Sequence, residues 1–140
     1  MSETGLGPDQ QSQRADVELR LPADGAYVSV LRTTTAGLAA RLDFPIDDIE
    51  DLRIAVGEAS AMVLAEADQG GELMCRFYLR PSELTVSVGV TASHAVAAPD
   101  HDSFAWQVLT TLATHASSDN LDGLYTVRLT MVPGHLEAGL

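Results

Sequence analysis

A chain of 140 residues is long enough for one domain and too short for two comfortable ones. At 46% hydrophobic and 20% charged it has an ordinary globular composition, not that of a disordered chain. Twenty acidic residues against eight basic ones, all of them arginine, leave a formal charge of −12; that argues against a direct grip on nucleic acid, which needs clustered cations, and favours a partner that is itself basic.

Residues 1–14 are polar, rich in Gln and Gly and without apolar period, and read as a loosely attached tail. They show neither the basic nor the apolar region of a secretory leader, and no apolar run reaches the roughly 18 residues of a membrane span. The lone Cys75 has no partner for an intramolecular disulfide. Together these features lead us to expect a cytoplasmic domain over residues 15–133, followed by a short tail at 134–140.

The alternation Val17, Leu19, Leu21 predicts a half-buried strand over 16–21, broken by Pro22-Ala23-Asp24-Gly25. From Ala26 to Leu42 the period becomes helical, with Val28, Leu31, Thr35, Leu38 and Leu42 on one stripe. Pro45 ends that helix by pushing Phe44 out of the α region. A second helix is expected from Asp47 to about Ala67. Its start carries Asp47, Asp48, Glu50 and Asp51 at the positive end of the helix dipole, and Ile49, Leu52, Val56, Ala59 and Val63 form its buried stripe. Two alternating runs, 72–80 and 83–90, flank Pro81-Ser82 as an antiparallel hairpin. Residues 91–102 form a small-residue loop. Ser103 caps a helix from Phe104 to about His115, with Phe104 and Trp106 facing the core; 119–123 reads as a loop and 124–132 as the last strand. This order gives an α+β class, a two-layer sandwich with a mixed or antiparallel sheet and helices on one face.

The segment Asp43–Ala59 (DFPIDDIEDLRIAVGEA) and the segment Phe104–Leu112 (FAWQVLTTL) resemble the anti-sigma factor branch of the GHKL ATPase superfamily, which has the Bergerat fold. The resemblance covers about 15–133. It implies a protein that holds an alternative sigma factor, of the stress or developmental kind, away from RNA polymerase and yields it to a STAS-domain anti-anti-sigma protein. It implies a contact surface on the first helix centred on Arg32, with Val28 and Thr35 beside it and Asp47 and Asp48 adjoining, and it makes a homodimer plausible. Arginine suits that position because its planar fork pairs bidentately with carboxylates.

Active members of this branch are serine kinases. They present, on their second helix, a Glu, then an Asn four residues on that holds Mg²⁺ against the phosphates of ATP, and usually a His four residues further. In this sequence Glu58 matches the first, while Met62 and Glu66 stand at the other two positions. The two glycine boxes correspond to Ser87–His94 and Asp102–Trp106, which lack the Asp and most of the glycines. The expectation is therefore a vestigial Glu58 and little or no affinity for ATP and magnesium; the alternatives are a kinase with a degenerate site, or a sensor that uses the old pocket for another small ligand. The plainer readings stay open beside these: Glu58 as an ordinary helix carboxylate, Arg32 as an exposed charge, the acidic cluster as a helix start. Asp100-His101-Asp102 is weak as a metal motif without distal ligands, and Ser60, Ser103 and His115 form no nucleophile arrangement.

Overall fold

A computed structural model describes residues 14–134. The expected tails lie outside the described residues, apart from Arg14 and Gly134. The chain runs through β1 (Val17–Pro22), a 3-10 turn (Gly25–Tyr27), α1 (Val28–Arg41), α2 (Ile46–Leu64), β2 (Glu72–Arg80), β3 (Glu83–Thr91), α3 (Phe104–Leu112), β4 (His115–Leu121) and β5 (Leu124–Met131). The five strands form one sheet in the order β1-β2-β3-β5-β4, every pair antiparallel, and the helices pack against one face. This is the expected α+β two-layer sandwich.

Alternation sets the register. Leu73, Cys75 and Phe77 of β2 pair with Val90, Val88 and Val86 of β3, and Val88 and Val86 with Val127 and Leu129 of β5. All are fully buried against Leu52, Val56, Ala59 and Val63 of α2 and Leu31 of α1. The opposite sheet face is polar: Arg76 bridges to Glu18 at 3.3 Å, and the Arg128 guanidinium lies 5.4 Å above the Tyr78 ring. Cys75 sits in the middle of this core, where burial pushes its thiol up to about 12.

Helix ends follow local chemistry. Asp43 adopts a left-handed φ of 62° just past α1. The Asp43 N–H then bonds Ala40 O and the Phe44 N–H bonds Ala39 O, a Schellman closure that tucks Phe44 into the core. Ser103 caps α3 through a bond from the Trp106 N–H to its Oγ.

Two expectations change. The stretch expected to be a helix end and a loop contains β4, a strand of polar residues at the edge of the described sheet that pairs with β5 through the tight turn Asp122-Gly123, both at positive φ. Its sequence, HASSDNL, carries no apolar alternation because one edge and most of its side chains face water. On α3 the inward stripe is Trp106, Leu109 and then Ala113, whereas Phe104 is 81% exposed. That short helix carries a second apolar row, Phe104, Val108 and Leu112, one helical step around from the first, and the sequence pattern alone does not rank the two.

Candidate functional site

α2 is the central helix, packed between α1 on one flank and α3 on the other. Gly57, in the middle of α2, leaves a gap that the side chain of Arg32 from α1 fills: a Cβ built on Gly57 would lie 3.1 Å from an Arg32 terminal nitrogen and 3.6 Å from its Cδ. Arg32 is thus half-buried, its stem laid across α2, and no carboxylate among the described residues lies within ion-pairing distance of it. A cation held in place by packing and left without an internal counter-charge is suited to meet a carboxylate from outside. Val28 is half-buried one turn earlier on α1, and Asp47 is exposed in the first turn of α2.

Two residues of the expected contact surface do not lie on a surface. Thr35 is fully buried, its hydroxyl donating to Leu31 O at 2.8 Å. Asp48 is only 8% exposed, and its carboxylate accepts the Gly134 N–H at 3.0 Å, which fastens the end of β5 to the start of α2. Both serve the fold: the helical stripe turns Thr35 inward, and Asp48 faces the sheet end rather than solvent.

Glu58, Met62 and Glu66 follow one another at four-residue spacing and are all half-buried. Met62 packs against the core. Glu66 Oε1 lies 2.9 Å from His94 Nε2 at the start of the loop over 92–103. Asp68 ties the same loop more firmly, because its Oδ1 accepts both the Ser93 N–H and the Ser93 hydroxyl at 2.9 Å. Further along, the Asn120 side-chain amide donates to Val96 O, Asp100 accepts the Asp102 N–H, and His101 stacks on Trp106 at 5.2 Å. Under this loop lies a cavity of about 200 Å³ bordered by Val96, Pro99, Ser118, Asn120 and Tyr125. Burial, and after it the Glu66 carboxylate, raises the Tyr125 phenol. Among the described residues no group of three His, Cys, Asp or Glu side chains is placed to hold a metal ion, and no helix is long and apolar enough to cross a membrane.

The stretch matching the first glycine box also has a packing role. A Cβ on Gly89 would stand 2.9 Å from Thr126 Oγ1 and 3.4 Å from Tyr125 O, so glycine is there to admit the neighbouring strand.

Hydrogen bonds from the Ser93 N–H, then from its hydroxyl, hold the Asp68 carboxyl below its ordinary value. A lowered carboxylate favours the folded arrangement above the ordinary carboxylate range, and that contribution is lost as pH falls through the lowered value. Asp68→Asn at neutral pH is expected to speed amide exchange at Ser93 roughly five- to tenfold, with α2 unaffected. Unchanged protection at Ser93 would show that the loop is held elsewhere.

The chain is similar to the serine-protein kinase RsbW of Halalkalibacterium halodurans, 39% identical over 77 residues, or 54% of this chain and 48% of the relative. It is similar to the serine-protein kinases RsbW of Bacillus thuringiensis and Bacillus anthracis, each 38% identical over 74 residues, 51% of this chain and 46% of theirs. The chain therefore spans about half the length of the curated relatives it matches. No protein-family model matches it.

Proposed function

We propose that this chain is a cytoplasmic anti-sigma factor of the GHKL type, a binding module that sequesters an alternative sigma factor. A STAS-domain anti-anti-sigma protein competes for an overlapping surface and releases the sigma factor by mass action. The observation that carries this reading is Arg32, seated across Gly57 with no carboxylate among the described residues in ion-pairing distance, in a chain similar to serine-protein kinases RsbW. Val28 and Asp47 flank it and extend the contact; a homodimer is compatible with the open edge of β1.

Phosphotransfer is absent from this reading because the residues on α2 do not fit Mg²⁺ and ATP. Where an oxygen donor would hold the ion, Met62 offers a thioether packed on the core, and a thioether is no ligand for a hard cation. Glu66 is engaged by His94, and Gly89 opens onto β5 rather than onto a ligand. Glu58 keeps the position of a catalytic carboxylate without the partners that would make it one.

The relatives' name and Glu58 favour a second reading, a serine kinase acting on the anti-anti-sigma protein. One paired experiment decides. The tagged chain is used to capture proteins from its own cells, and the recovered sigma factor is then titrated with the purified chain; in parallel, the chain is titrated calorimetrically with Mg²⁺ and ATP. Stoichiometric sigma binding with no nucleotide heat is expected. Saturable nucleotide binding with phosphate transfer to a STAS-domain protein would favour the kinase, and the absence of any sigma factor would defeat the sequestration reading.

A further inference from the structure

On the flank of α2 opposite Arg32, a groove of about 420 Å³ runs between α2 and α3, lined by Ile54, Phe104, Gln107, Val108, Thr111 and Leu112. Its apolar lining faces solvent: Ile54 is 53% exposed and Phe104 81%. Large apolar side chains gathered in one open groove mark an interaction surface, unlike single ones scattered over a protein.

The two helices that flank the groove differ in charge, and the acidic side chains stand beside its apolar lining. α3 has no charged residue at all. On α2, the residues within one turn of Ile54 include Glu50, Asp51 and Glu58, and the one cation there, Arg53, already reaches Glu50 at 3.9 Å. Partial burial, then the neighbouring Asp48 and Asp47, raises the Asp51 carboxyl, as expected where negative charges crowd without enough cations to offset them. The groove follows α3, whose nine residues at about 1.5 Å each span roughly 14 Å, the length of two to three helical turns.

We propose that this groove docks a basic amphipathic helix of a partner protein, with Leu, Ile or Phe side chains seated between Ile54, Phe104 and Val108 and Arg or Lys side chains turned toward Glu50, Asp51 and Glu58. The i, i+3, i+4, i+7 apolar pattern of such a helix matches an apolar groove, and cations beside it meet the acidic side chains of α2. Anionic lipid and nucleic acid carry the wrong sign for those side chains. A second copy of the chain brings a formal charge of −12 and is repelled by it. The surface lies apart from Arg32 and stands whether or not the partner of the Arg32 surface is a sigma factor.

The test uses the full chain, isotopically labelled, and a synthetic three-turn helical peptide with Leu at i, i+3, i+4 and i+7 and Arg at the flanking positions. Two controls replace every Arg by Glu or every Leu by Ser. The Arg–Leu peptide is expected to shift the resonances of Ile54, Val108, Thr111 and Leu112, with affinity that falls as salt rises and drops about tenfold or more in Ile54→Glu. Phe104→Ala, at a side chain that supports nothing in the fold, is expected to weaken binding without changing stability. The proposal is overturned if no shifts occur, if the Glu peptide binds as well, if the shifts map to another face, or if the Ile54→Glu isotherm matches the wild type. It is likewise overturned if sedimentation finds a dimer that Ile54→Glu dissolves, since the groove would then belong to a second copy.

Discussion

Phe77→Ala will cost about 3–5 kcal/mol of folding stability. Phe77 is the largest fully buried side chain of the sheet, on β2 between Val17 of β1 and Val86 of β3. Removing the ring leaves a void that neighbouring strands cannot close, because both are pinned by ladder bonds on either side of it. Domains of this size have roughly 5–15 kcal/mol in total, so the variant loses a large share of its margin and its urea midpoint drops accordingly. Tyr78→Ala, one residue on and facing the polar side under Arg128, is the control and should cost about 1 kcal/mol. Equal midpoints for the two variants would mean that the face carrying Phe77 is not the packed one.

On the proposed sequestration of a sigma factor, Arg32→Ala is expected to weaken capture of that partner about thirtyfold while leaving the fold nearly as stable, as for an arginine that anchors an interface. The companion variant is Gly57→Ala. An alanine in mid-helix is favoured over glycine by up to about 1 kcal/mol, and the atom it crowds is the far end of a flexible side chain, which has room to give. Gly57→Ala should therefore raise the melting temperature and still weaken capture, because it displaces the Arg32 guanidinium from its place against α2. Such opposite movement of stability and binding separates a positioned arginine from an incidental one. If Arg32→Ala binds as tightly as the wild type, the contact surface lies elsewhere.

Much of the fold was legible because its signals are local. The alternation through β2 and β3 gives both strands to within a residue, and Pro45 marks the break between the first two helices. β4 was hidden because an edge strand with water on its free side needs no apolar alternation; the one signal for it was the dipeptide Asp122-Gly123, whose conformation suits a two-residue hairpin turn. Phe104 was read inward because the nine residues of α3 carry two apolar rows and only tertiary packing chooses between them. The site was less legible than the fold. Arg32 stood out only through the family resemblance, and its seat on Gly57 joins positions 25 apart in sequence, which nothing in either helix alone announces. Asp48 looked like one more charge at a helix start until its bond to Gly134 placed it under the end of the last strand.

The position of Cys75 gives the molecule a built-in gauge. Its thiol is the only one in the chain, it is fully buried on β2 in the core, and burial raises it far enough that little reactive thiolate forms while the core is closed. A thiol reagent therefore reads how often the core around β2 opens, with no label or engineered probe. The same arithmetic shields the protein from oxidants for as long as it stays folded, and exposes it to cross-linking between chains once it does not.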